Sequence, residues 1–322
     1  MATGPEGSEA NPEGELLFED APAFGNPTLT AVSGLMVGHW TDAAARTGCT
    51  VVLAPPDGCL ASGLVLGPAP GSRESVLLEP DRTVDRIDAV VLAGGSAFGL
   101  AAADGVMRWL DEQGRGYDTG FARVPIVPAA VLFDLGVGDG TVRPDAEAGR
   151  AAAAQASDAP VGQGRVGAGA GATVGKLRGM SSSSPSGLGS HAVRLAGATV
   201  AALAISNAVG NLVDPDTGAL VAGVDGTLGL AAADRFHAMP GANTTLVVAA
   251  TDAKITKAEA RALALSAQMG IARVTRPSHT PFDGDTAFVL STRRGPEIPL
   301  AALSVAIQEV VARALLNGVR AA

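Results

Sequence analysis

The stretch TTLVVAAT at 244–251 constrains the chain more than any other. β-Favouring residues follow one another there, which predicts a strand. The strand begins abruptly. The small-residue loop MPGAN ends in Asn243, and Thr244 and Thr245 stand at its mouth. Thr256 and Glu259 then form a capping box, which predicts a helix running to Gly270. TAFVLST at 286–292 reads as another strand, and Pro299 opens a last helix with apolar Leu300, Leu303, Ile307, Val310, Val311 and Leu315.

Upstream, residues 47–54 and 59–66 are β-rich and flank the turn signal Pro55-Pro56-Asp57-Gly58, so they read as a hairpin. IDAVVLA at 87–93 is a continuous apolar run and reads as a buried strand. Ser96 is positioned to cap a following helix that stops at Gly114. VPIVPAAVLFDL at 124–135 is broken by proline, so it is expected at a sheet edge. Pro144-Asp145 opens a short Ala-rich helix, 161–190 is a Gly/Ser-rich stretch, and 191–195 and 198–206 are strand-like. Residues 212–243 read as a loop with a weak helix near 226–234. Strands and helices mix without strict βαβ alternation, which argues for α+β layers over a doubly wound parallel sheet.

With 47% hydrophobic residues, 322 residues can bury a large core. A net charge of −9 and a pI of about 4.9 supply no basic face for phosphates, so nucleic acid is not an expected partner. No apolar run reads as a membrane span, and the start lacks the basic and apolar regions of a signal peptide. Residues 1–25 read as a flexible acidic tail, leaving 26–322 as one catalytic domain. The only cysteines, Cys49 and Cys59, make no disulfide framework and fit a reducing cytoplasm.

Several motifs tempt and fail. GQGRVG at 162–167 matches a dinucleotide-binding loop in letters, but a helix precedes it where a strand is needed. AGATVGKL at 170–177 lacks the first glycine and the magnesium-binding hydroxyl of a phosphate loop. GGSAFG at 94–99 has Phe98 where a nucleophile elbow needs glycine. His39, His191, His237 and His279 show no metal-type spacing, so each histidine and cysteine is read as structural, and neither metal nor cofactor is expected.

One constellation survives. A threonine hydroxyl is a weak nucleophile without a base beside it. At a chain start its own α-amine, with an ordinary pKa of about 7.7–8.0, can serve as that base. A cut before Thr244 would create such a start. Asp283 and Asp285 stand two apart before a strand and would share a face in extended backbone, so a shared proton or a nearby cation is expected. Lys176, alone after GAGAGATVG, can supply that cation, and the Asn207 amide can donate to an oxyanion. Singly, each has a plain structural reading: a solvated turn, a surface charge, a turn residue. Their joint occurrence points to the site.

On VGHWTD, TGCTVVL, AGGSAFGLAAADGVMRWL, VPIVPAAVLFDL, VGAGAGATVGKLRG, ISNAVGN, PGANTT and FDGDT, residues 27–320 resemble a known family. It is the self-processing N-terminal nucleophile hydrolases that include L-aminopeptidase D-esterases, β-peptidyl aminopeptidases and nylon-oligomer hydrolases. Asn243-Thr244 with Asp283-Gly284-Asp285 is similar to the nylon-oligomer branch. The resemblance implies an αββα sandwich built from fragments 26–243 and 244–322, which stay associated and assemble as tetramers. It implies Thr244 as nucleophile, Lys176 and Asn207 as its partners, and Asp283 and Asp285 flanking it. It also implies that Phe133 stands where some members carry a tyrosine. The expected activity is hydrolysis of linear amides such as 6-aminohexanoate oligomers. The alternatives are aminopeptidase or esterase action on small N-terminal residues, aminoacyl transfer, or a non-enzymatic protein that kept the fold.

Overall fold

The computed structural model describes residues 18–20, 25–224 and 243–322. The weak helix expected near 226–234, most of the expected tail and the loop at 239–242 lie outside the described residues.

In chain order the strands are β1 (Phe18–Asp20), β2 (Met36–Asp42), β3 (Thr47–Leu53), β4 (Cys59–Val65), β5 (Gly71–Arg73), β6 (Arg86–Ile87), β7 (Ala89–Ala93), β8 (Tyr117–Asp118), β9 (Arg123–Val124) and β10 (Ala129–Val131). Then come β11 (Thr173–Val174), β12 (Ser184–Pro185), β13 (Leu188–Leu195), β14 (Ala198–Asn207), β15 (Asn211–Val213), β16 (Leu220–Ala222), β17 (Thr244–Thr251), β18 (Thr275–Arg276) and β19 (Thr286–Ser291). The α-helices are α1 (Ala102–Glu112), α2 (Ala146–Ala154), α3 (Lys257–Val274) and α4 (Leu300–Arg320).

Two sheets form the body. One has seven strands in the order β1-β13-β14-β17-β19-β4-β6; the other has five, β2-β3-β7-β10-β5. Each holds one parallel neighbour pair, β17 with β19 and β7 with β10, and in each pair a helix lies between the strands in sequence. The core falls into three apolar layers. Val193, Val200, Val247 and Val289 meet Leu263, Ile271, Val310 and Leu315 of α3 and α4 on the outside of the large sheet. Val51, Val91 and Ala129 meet Val106, Leu110 and Ala152 of α1 and α2 on the outside of the small one. Val52, Leu92, Leu203, Ile205, Leu246, Val248 and Phe288 fill the space between the sheets. The layering is helix, sheet, sheet, helix.

The capping box at Thr256 and Glu259 forms, and α3 runs past Gly270 to Val274. Asp145 caps α2 by accepting from Ala148 N. The expected hairpin does not form. β3 pairs with β2 and β7, whereas β4 pairs with β19 and β6 in the other sheet. The turn is real, with Gly58 N donating to Pro55 O at 2.8 Å. Pro55 and Pro56 carry no N–H to extend a ladder, so the chain crosses between layers there. Ser96 does not cap: its side chain makes no capping bond, and it sits at φ +53 after Gly95. The proline-broken run contributes β10, which is not at an edge, because the short β5 pairs on its far side. Helix α4 meets the length and hydropathy of a membrane span, but Leu303, Ile307, Val310, Val311 and Leu315 are packed in the outer core.

Candidate active site

Strands β14 and β17 run antiparallel, with Ser206 opposite Thr245 and Asn207 opposite Thr244. Alternation decides which way each residue points. Ala201, Leu203 and Ile205 on β14 and Leu246, Val248 and Ala250 on β17 face the layer between the sheets. Asn207 and Thr244 continue those two rows. Thr245 and Ser206 continue the opposite rows, towards α3 and α4, and their hydroxyls are buried without a hydrogen-bond partner among the described residues. The two adjacent threonines, alike in sequence, are thus separated by the sheet.

Thr244, Lys176, Asn207, Asp283 and Asp285 are each at most 3% exposed. Polar groups so deeply buried need partners. The Lys176 ammonium, in a 3-10 turn Lys176–Arg178, donates to Asn207 O at 2.8 Å and Asn207 Oδ1 at 2.7 Å. Gly175 enters that turn at φ +73, and a Cβ there would lie 2.4 Å from Gly223 Cα, so only glycine fits. Asn207 Oδ1 also accepts from Thr173 N at 3.1 Å, and Asn207 Nδ2 donates to Phe133 O at 2.9 Å. Asn207 therefore ties three segments together and places Lys176 beside the strand position opposite Thr244.

Thr244 Oγ1 donates to Asn243 O at 2.6 Å. The same carbonyl accepts from Gly284 N at 2.9 Å, and Asn243 bridges Asp283 in parallel. A Cβ on Gly284 would sit 2.5 Å from Ala69 O and 2.9 Å from Thr244 Oγ1, so glycine is required between the two aspartates. Asp285 Oδ1 accepts from Thr245 N at 2.6 Å, while its other oxygen lies 2.8 Å from His279 Nδ1. Asp283 Oδ2 accepts from Thr280 N and Thr280 Oγ1, both at 2.7 Å. The two carboxylates share no hydrogen bond among the described residues; each has its own partners.

Burial and charge tune this cluster. Burial lowers the Lys176 pKa to about 7, against the opposing charges of Asp283 and Asp134. Burial, and then the charge of Asp285, raise Asp283 to about 6, with the Thr280 hydrogen bonds opposing. His279 is pulled down by burial, but the hydrogen bond and charge of Asp285 prevail and its pKa rises. A buried lysine near 7 can take or give a proton at neutral pH.

Sequence reading missed three members. His279, read as structural, braces Asp285 through one ring nitrogen while Nε2 lies 3.1 Å from Gln268 O. Its signal was its place four residues before Asp283. Thr280 fixes the Asp283 carboxyl. Asp134 is buried, accepts from Thr47 Oγ1 at 2.7 Å and Gly95 N at 2.6 Å, and is raised by that burial. Its signal was a carboxylate inside the apolar run VLFDL. Cys49 and Cys59 are buried free thiols, each pushed up to about 12 by that burial, and so are poor nucleophiles.

Three comparisons bear on this geometry. The sequence profile of peptidase family S58 matches residues 27–322. An uncharacterized aminopeptidase of Mycobacterium tuberculosis is 42% identical, over 91% of this chain and 93% of that protein. A 6-aminohexanoate-oligomer endohydrolase of Kocuria is 32% identical, over 63% of this chain and 60% of its own. The structure of an L-aminopeptidase D-Ala-esterase/amidase from Ochrobactrum anthropi, described as a variant of the Ntn hydrolase fold, superposes with a TM-score of 0.70 at 19% identity. That match covers 92% of this chain and 87% of the other, and it shows a shared fold.

Proposed function

The chain belongs to peptidase family S58, and from that membership and the surroundings of Thr244 we propose that it is a self-processing amide hydrolase whose nucleophile is Thr244. The observation that carries this reading is the position of Thr244 Oγ1. It lies against the Asn243 carbonyl, on the face of the sheet that also carries Asn207 and, through it, Lys176.

The first reaction is on the chain itself. Thr244 Oγ bonds to the Asn243 carbonyl carbon, the C–N bond breaks, and the hydroxyl proton passes to the leaving nitrogen. The Gly284 N–H, already on the Asn243 oxygen, steadies the charge that develops there. Water then cleaves the ester, leaving the Asn243 carboxylate and a free Thr244 amine. In later turnovers that amine, with Lys176 beside it, accepts the Thr244 hydroxyl proton as Oγ attacks a substrate amide. Water releases the acyl group. Asp285 holds the Thr245 N–H, and with it the start of the strand. Asn207 acts as a positioning residue, because its amide is engaged by Lys176, Thr173 and Phe133.

Mass spectrometry of the purified protein is the direct test. Fragments 1–243 and 244–322 are expected; an intact chain with full activity would end the proposal. Two substrate readings remain. Removal of small N-terminal residues is favoured by the aminopeptidase name of the 42% identical relative. Hydrolysis of linear amide oligomers is favoured by the Asn-Thr and Asp-Gly-Asp pattern and by the 32% identical endohydrolase. Rates on aminoacyl-p-nitroanilides against linear 6-aminohexanoate oligomers separate them. Tetrameric assembly belongs to the same proposal and is read by sedimentation.

A further inference from the structure

The segments that hold Lys176 and Asn207 also enclose a pocket of about 440 Å³, within the usual range for small-molecule sites. Thr173 lines it, and the N–H of Thr173 is bonded to Asn207 Oδ1. A second wall, Gly136 and Val137, lies a few residues beyond Phe133, whose carbonyl accepts from Asn207 Nδ2. A third, with Ser181 and Ser183, follows the turn that carries Lys176. One wall of the pocket, Thr173, is thus hydrogen-bonded to Asn207, the residue opposite Thr244.

Its chemistry is cationic in a chain of net charge −9. Arg46 and Arg165 line it together with Ser181 and Ser183, and among the described residues no carboxylate lines it. Arg46 is half-buried and held at φ +56. Among the described residues its one side-chain hydrogen bond is a long one, 3.5 Å to Val137 O, and its Nε is buried without a partner there. Neither arginine enters an ion pair among the described residues. A guanidinium fork with no counter-charge among the described residues, in a pocket that also carries hydroxyl donors, suits a planar carboxylate.

We propose that this pocket receives a carboxylate carried by the amide substrate, so that the site selects substrates with a free acid end over neutral ones. The proposal rests on Thr244 as the nucleophile, because the pocket is joined to that residue through Thr173, whose N–H is bonded to Asn207, the residue opposite Thr244.

Binding and turnover test it separately. In titration calorimetry on the purified wild-type protein, 6-aminohexanoate should bind roughly 10- to 100-fold tighter than 6-aminohexanol, the range expected for hydrogen bonds to a charged group. In the Arg46→Gln/Arg165→Gln protein the two should bind alike. Arg165 is exposed, so Arg165→Gln alone keeps the test available if Arg46→Gln lowers stability. Hydrolysis rates locate the acid: an ω-amino-acid dimer against its C-terminal amide reports a carboxylate on the leaving side, and glutaryl- against butyryl-p-nitroanilide reports one on the acyl side. Equal binding of acid and alcohol to the wild-type protein, or a preference unchanged in the double variant, would overturn the proposal. A binding preference without any hydrolysis would instead count against Thr244 as nucleophile and leave the anion pocket standing.

Discussion

The layer between the two sheets is hydrocarbon along most of its length and polar at one end. On β14 the inward row runs Ala201, Leu203, Ile205 and then Asn207; on β17 it runs Ala250, Val248, Leu246 and then Thr244. Burial is the same at both ends of these rows. What differs is the partner of each group. In the middle, side chains need only fill space. At the end, Lys176 bonds Asn207, Thr244 bonds the Asn243 carbonyl, and the aspartates are held by backbone N–H groups, Thr280 and His279, with Asp283 Oδ1 left without a hydrogen-bond partner among the described residues. The sandwich supplies a water-poor setting, and that setting moves Lys176 and Asp283 to about 7 and about 6. On the proposed function, reactivity is an edge property of an ordinary core.

Substitutions at the polar end sharpen this contrast. Thr244→Ala should give the largest effect: no fragments on a denaturing gel and roughly a 10⁴-fold or greater loss of amidase activity. Fragments at the wild-type rate would transfer the nucleophile to Thr245. Next is Lys176→Met, expected to slow fragment formation by roughly 10²- to 10⁴-fold. In freshly synthesised wild-type chain, where Thr244 has no free amine, the rate should rise as pH passes about 7. Below that value the ammonium form prevails and cannot accept the hydroxyl proton; in the Met variant that rise should vanish. Gly284→Ala forces a Cβ against Ala69 O and Thr244 Oγ1. A displacement of that kind costs roughly 100-fold in the rate of fragment formation. The smallest effect is expected on the other face of the strand. Thr245→Val removes a hydroxyl with no partner among the described residues, so stability in a thermal melt should stay within about 1 kcal/mol and cleavage should persist.

Much of the site was legible in the sequence because its residues are polar exceptions in apolar or glycine-rich runs. Asn207 after VAALAIS and Lys176 after GAGAGATVG are of that kind. The choice between Thr244 and Thr245 was not legible. It depends on the register of β17 against β14, which a single strand does not carry. His279 was missed for a related reason: its partner Asp285 is six residues away, across a turn that no local pattern announces. The fold shows the same limit. Strands and capped helices could be read one by one, yet Pro55–Gly58 passed for a hairpin, because a turn signal says that the chain reverses and not which sheet it then joins.

The bond before Thr244 also divides the large sheet in an unusual way. Residues 244–322 supply β17 and β19, which lie side by side between β14 and β4 of the preceding chain, and α3 and α4 above them. A cut there would leave two polypeptides interleaved strand between strand. Refolding would then become a bimolecular event. The melting midpoint of the cut protein would depend on its concentration, where that of the uncut Thr244→Ala chain would not. Self-cleavage would thereby turn an equilibrium fold into one kept by the slowness of its own disassembly.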